Sequence, residues 1–273
     1  MARKIGKFAV FFVLMVVALT MLYPLFYMVM NTFKEMYEYI KDSLGLPKKF
    51  YVGNYISMFR SFKMYIYFFN SFLTSFCALV ITLGIGIVSS YAFAKINFKW
   101  KSKIYMGVLS LMMIPGMVML IPLYVFYTKI GLIDSRLSLI MAFSIGSLPY
   151  TVFLLTSNFR KIPDEMLEAV KMDGGSYFKT LTAVVIPMGK AAIIAMGIFV
   201  FIGNWNELLF SMIFINTQSK LNMTAFIANF GGRYVSNIPM ILTGLTFAAF
   251  PMIIIYLVFQ RNIIKGMTVG AIK

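Results

Sequence analysis

Four of the nine acidic residues of this chain, Asp164, Glu165, Glu168 and Asp173, crowd into the stretch EAVKMDGGSYFKTLTAVVIP and the positions just before it. A second polar group, Asn204-Trp205-Asn206-Glu207, interrupts an otherwise apolar run. Carboxylates this close could act as general acid and base, but such work needs a nucleophile, a metal or a proton shuttle beside them. The chain has no histidine. That excludes an HExxH zinc site, a Ser-His-Asp triad and a Cys-His pair. A GxxxxGK[ST] phosphate loop is also missing, since Gly189 and Lys190 are followed by Ala191 and lack the upstream glycine. Both polar groups are therefore expected to recognise something rather than catalyse. No catalytic residue, metal site or cofactor is expected in this chain.

The elements that must position these groups are transmembrane. Hydrophobic residues make up 60% of the 273 positions and charged residues 12%, outside the range of soluble domains. Runs at about 8–30, 70–94, 104–128, 137–159, 184–206 and 238–260 are each long enough to cross a hydrocarbon core. None alternates as a strand would, and lipid-exposed backbone must be helical or closed into a barrel. The expectation is an all-α polytopic protein forming a single transmembrane domain of six helices. A charged loop at 160–187 and a tail at 261–273 complete it. The first run is too long for a signal-peptide core and no small-residue cleavage site follows it, so it is read as an uncleaved span.

Charge sets the expected orientation. Fourteen Lys and Arg fall in the segments that share a side with both termini, against ten in the longer opposite loops. By the positive-inside rule the termini and the 160–187 loop are cytoplasmic. The net charge of +16 is thus accounted for by membrane ends, and no nucleic acid is implied. Cys77, the single cysteine, lies inside a span, so no disulfide framework exists.

Finer features leave alternatives open. Ala78, Thr82, Gly86, Ser90 and Ala94 form a stripe of small residues on the second span, suited to close packing within the chain or against another subunit. Prolines 24, 115, 122, 149, 239 and 251 fall within the runs and mark kinks, lining a pathway or serving ordinary packing. The loop Asn31 to Phe69 is rich in Tyr and Phe, which suit the membrane interface. Leu208 to Ile215 is apolar but too short to cross, so it extends the fifth span or re-enters. Asn222-Met223-Thr224 matches a glycosylation sequon and is set aside as a frequent chance match. Ion-coupled carriers keep an ionisable group deep in the bilayer. Only Lys190 and Glu207, both near ends of the fifth span, are candidates, which argues against a stand-alone carrier or channel.

Within the charged loop, Pro163 suits a first helical turn, and Asp164 and Glu165 favour the positive end of its dipole. Ile162, Met166 and Val170, with Leu167, predict one apolar face, and Glu168 can pair with Lys171 on the other. Gly174 and Gly175 end the helix, and Ser176 caps a second one running to Pro187.

These residues resemble a known family. Glu168-Ala169-Val170, then Gly174, then Val184, Ile186 and Pro187 match the spacing of the EAA motif of ATP-binding-cassette (ABC) importer permeases. Val170, Val184 and Ile186 are conservative departures from it, and Gly175 stands where the sugar branch usually has alanine. The segments IPDEMLEA, NWNELLF and QRNIIKGMTVGAIK resemble the MalG-like subunit of carbohydrate importers. The tail ends without that family's frequent final glycine.

The resemblance implies a type I importer permease in the cytoplasmic membrane of a prokaryote. It implies a coupling helix that docks on an ATPase dimer through Glu168, Ala169, Val170, Asp173 and Gly174. ATP and magnesium would then be bound by the ATPase. Further implied partners are a second, MalF-like permease chain, an extracytoplasmic solute-binding protein and a carbohydrate. Asn204, Trp205, Asn206 and Glu207, with Tyr150 after the Pro149 kink, suit sugar recognition. Amides pair with hydroxyls, and an aromatic face covers the ring. Interfacial anchoring by Trp205 and helix joining by the asparagines remain the alternative.

Overall fold

The computed structural model describes residues 2–233 and 237–268, and among these every regular element is helical. Five helices are long and apolar enough to cross a membrane, and a sixth span exists if one bent pair counts as a single crossing. The chain divides into two compact units, Met1–Tyr65 with Phe226–Pro251 and Ile66–Ala225 with Met252–Lys273.

The first unit contains α1 (Ala2–Thr32), α2 (Met36–Lys41) and α3 (Gly53–Arg60). Part of the loop after α1 is tied down by buried polar groups. Lys34 is fully buried and donates to the carbonyls of Asp42 and Gly45 at 2.7 and 2.6 Å. Asn54 donates to the carbonyls of Thr32 and Lys34. Tyr55 and Phe59 pack edge-on against Phe247, with ring centroids 5.6 and 5.0 Å away. Tyr37 and Phe50 stay exposed.

The second unit is built on α4 (Met64–Lys95), α5 (Lys101–Ser110), α6 (Leu120–Lys129) and α7 (Arg136–Phe159). The small-residue stripe of α4 faces α7. Thr82 Oγ1 donates to the Ser144 carbonyl at 3.3 Å, and Ser90 Oγ donates to the Val152 carbonyl at 3.2 Å. A Cβ on Gly86 would stand 2.6 Å from Thr151 Cγ2, so only glycine permits this approach. The packing is therefore within the chain. Interhelical contact of this kind is how helices associate where lipid offers no hydrophobic drive.

The run at 104–128, expected as one span, is broken. Lys101–Met113 and Gly116–Lys129 meet at 92°. Ile114 and Pro115 are both extended, with ψ of 115° and 130°, because the proline ring drives its predecessor out of the helical region. Pro122 sits in the first turn of α6, where its missing N–H costs nothing. Pro24, Pro149 and Pro251 stay inside their helices.

A clasp closes the opposite end of this unit from the charged loop. Asp134, with φ of 59°, accepts from Thr217 N at 2.8 Å, Thr217 Oγ1 at 2.6 Å and Lys220 Nζ at 2.7 Å. These donors hold its carboxyl far below the usual range, the Lys220 ammonium most of all.

Candidate functional site

The charged loop folds into α8 (Asp164–Met172) and α9 (Tyr177–Thr180), then a wide turn Leu181–Val185 leading into α10 (Ile186–Asn206). Pro163 precedes α8, Asp164 and Glu165 occupy its first turn, and Lys171 its last. Asp173 caps it. Gly174, with φ of 74°, then donates to the Lys171 carbonyl at 2.9 Å, and Gly175 donates to the Val170 carbonyl at 2.8 Å. These paired bonds are a Schellman stop, which needs the left-handed backbone that glycine adopts at least cost. Ser176 Oγ accepts from Lys179 N and starts α9. The wide turn fits Pro187, whose ring would collide with the carbonyl four residues earlier in a regular helix. Ile186 N bonds back to Leu181 O across it.

One side of α8 is anchored. Ile162 and Leu167 are buried with Phe159, Leu181, Val184 and Val185, and Val170 packs partly against them. Met166 is not on that side but 43% exposed. The expected apolar face is corrected: α8 begins only at Asp164, so Ile162 lies off the helix and the buried edge is set by Leu167 and Val170 at i, i+3. Glu168 and Lys171 form no ion pair among the described residues.

Glu168, Ala169, Asp173 and Gly174 all lie at the surface, while half-buried Val170 faces the anchor instead. Around them Met172, Tyr177 and Phe178 are 88, 60 and 73% exposed. Sequence periodicity did not mark these three as part of the same surface. A short helix bolted on one side, with charged and apolar groups standing out on the other, can transmit a push from a soluble partner into α10.

A further residue secures the loop. Lys95, the last residue of α4, has a side chain only 6% exposed and reaches Asp164 Oδ1 at 2.7 Å. Its ammonium also donates to the carbonyls of Ile162 and Arg160. Read in sequence it is one of four lysines in a loop, and only the fold singles it out. The ammonium draws the exposed Asp164 carboxyl below its ordinary range.

The second candidate group is divided by the structure. Trp205 is fully buried, stacked on Phe201 at 6.0 Å and edge-on to Phe68 at 5.2 Å. Asn204 is buried too, accepting from Ser147 Oγ at 3.4 Å. Glu207 ends α10 and caps α11 (Leu209–Phe214), its carboxylate accepting from Leu209 N and Phe210 N at 3.0 Å each. The segment from Leu208 to Ile215 therefore does not extend the fifth span; it contains a separate short helix.

Asn206 remains exposed, on the same face of α10 as Gly203 and Phe199. Tyr150 borders two cavities. One, about 500 Å³, lies between α7 and α10 and includes Ser157, Asn158 and Phe199. The other, about 380 Å³, lies between α7 and the broken third span. Ser157, Asn158 and Phe199 had no distinguishing signal in the sequence.

These placements separate the roles. Trp205→Ala is expected to lower stability by about 3–5 kcal/mol through the cavity it leaves, read as a lower melting temperature in detergent. Asn206→Ala is expected to leave melting unchanged and to raise the half-saturating substrate concentration in transport. Wild-type transport by Asn206→Ala would remove Asn206 from the pathway.

Residues 82–269 match the model of the family described as binding-protein-dependent transport system inner membrane component. An ABC transporter permease protein of Caldicellulosiruptor sp. strain Rt8B.4 is 33% identical over 92% of this chain and 91% of its own length. The arabinooligosaccharides transport system permease protein AraQ of Bacillus subtilis strain 168 is 30% identical over 95% of this chain and 93% of its own. Among solved structures, a bacterial ABC transporter involved in the import of the acidic polysaccharide alginate superposes with a TM-score of 0.81. It covers 96% of this chain and 97% of the other at 19% identity, a likeness of fold.

Proposed function

Since this chain belongs to the binding-protein-dependent transport system inner membrane component family, we propose that it is one permease subunit of an ATP-driven carbohydrate importer. It forms half of the translocation pathway beside a second, MalF-like permease chain. The observation that carries the substrate class is the similarity over nearly the whole chain to an arabino-oligosaccharide permease. The fold likeness to an alginate importer agrees with it.

In this reading α8 is the coupling helix. Glu168, Ala169, Asp173 and Gly174 face an ATPase dimer that binds ATP and magnesium, while Val170 ties the helix to the core. The termini and the α8 loop are cytoplasmic, in the inner membrane of a prokaryote, and a solute-binding protein delivers substrate from the other side. The described part of the tail is helical to Thr268. The segment from Gly266 to Lys273 resembles the part of the family that reaches the ATPase dimer interface, and residues 269–273 of it lie outside the described residues.

The reading is tested by purifying the tagged chain from its own membranes and identifying every subunit that accompanies it. A second permease and an ATPase are expected, and the binding protein encoded with them is expected to gain thermal stability with an oligosaccharide. Purification of the chain alone, or of a binding protein that responds only to amino acids or metals, would overturn it.

A further inference from the structure

We infer that the connection between α4 and α5 binds the phosphate group of an anionic phospholipid at the membrane edge. Phe98, Trp100, Lys101, Ser102 and Lys103 line an open cavity of about 390 Å³ there. Trp100 holds a left-handed backbone, φ 70°, and turns the chain directly into α5. No side chain caps the start of α5, so the partial positive charge of its first N–H groups adds to that of the lysines. Lys99, Lys101 and Lys103 pair with no carboxylate among the described residues, because Asp164, the acid that reaches this end of α4, is held by Lys95.

The aromatic groups define the depth. Lys103 Nζ lies 4.3 Å from the centroid of the Trp100 ring, and the Arg160 guanidinium lies 5.2 Å from that of Tyr105. Tyr105 in turn packs on Phe93 at 5.2 Å. Trp and Tyr with one wet and one apolar side are what the headgroup level selects. Ile104 and Met106, 50 and 64% exposed, lead away from the cavity along α5. They offer acyl chains an apolar surface directly next to the cations. A free phosphate would use the lysines alone, whereas a phospholipid uses both, and basic pockets beside spans take acidic headgroups for this reason. The site needs only a chain embedded in a bilayer and does not depend on what the chain transports.

The test uses the full-length chain in neutral detergent, wild type beside the double variant Lys101→Gln/Lys103→Gln and the remote control Lys129→Gln. Melting is followed with added phosphatidylglycerol, phosphatidylcholine or inorganic phosphate. Phosphatidylglycerol is expected to raise the melting temperature of wild type and Lys129→Gln by several degrees, and phosphatidylcholine not to. The double variant should melt as wild type does without lipid and lose most of the gain.

If inorganic phosphate reproduces the full shift, the site is an anion site without a lipid requirement. If the double variant keeps the gain, or phosphatidylcholine matches phosphatidylglycerol, the inference is wrong. Should the double variant fail to purify, native mass spectrometry of Lys103→Gln decides the matter: fewer retained phosphatidylglycerol molecules than wild type supports the site, and equal numbers overturn it.

Discussion

Gly174→Val is expected to insert and purify normally yet lose nearly all uptake, while Gly174→Asn keeps most of it. A Cβ at Gly174 would meet nothing within 4 Å, so crowding is not the reason. The backbone is: with φ at 74°, a β-branched side chain is strained by about 1–3 kcal/mol, and asparagine tolerates that conformation far better. Relief of the strain unwinds the Schellman stop and swings Asp173, Met172 and the start of α9 away from the surface that α8 presents. Gly174→Asp separates conformation from charge, since it tolerates the backbone but adds an anion beside Asp173. Uptake by Gly174→Asp near the Gly174→Asn level would assign the effect to shape alone. Wild-type uptake by Gly174→Val at normal protein level would remove the corner from the coupling mechanism.

Lys95→Met should produce the second large effect, an uncoupled transporter. The α4 stripe still holds α4 against α7, so the unit is expected to fold. What is lost is the ammonium that ties the end of α4 to Ile162, Arg160 and Asp164. Uptake is expected to fall by about tenfold or more while the assembled complex still hydrolyses ATP, and Lys95→Arg is expected to restore part of it. Measuring both rates on one preparation makes the point, because parallel loss of hydrolysis and uptake would indicate failed assembly instead. Uptake equal to wild type would show the strut to be dispensable.

The same pair carries a sign in pH. Lys95 depresses the Asp164 carboxyl, so the contribution of the pair is fully present above the ordinary carboxylate range and is lost as pH falls through the lower folded-state value. Wild-type coupling should therefore weaken only once pH falls below the ordinary carboxylate range, while Lys95→Gln, which lacks the pair, should show no such acid step.

The sequence by itself determined the membrane character, the number of apolar runs and the helix, corner, helix order of the charged loop. These are local properties. A run of apolar residues is long enough or it is not, and Pro163, Gly174 and Ser176 act through their own backbone preferences within a turn or two. The EAA spacing was legible for the same reason.

What covers each face was decided only by tertiary structure, because periodicity tells which residues share a side and not what stands opposite. Met166 was placed inward on spacing and is exposed, since Leu167 and Val170 make the contact with the core. Trp205 has the chemistry of a sugar platform but is spent on Phe68 and Phe201. Glu207, read in sequence as an ionisable group near a span end, caps a short helix by accepting from two backbone donors. The break at Pro115 opens to 92°, an angle no composition encodes. Lys95 and Asp164 are 69 positions apart, and only the packing of α4 along α7 brings that cation to the one loop where it matters.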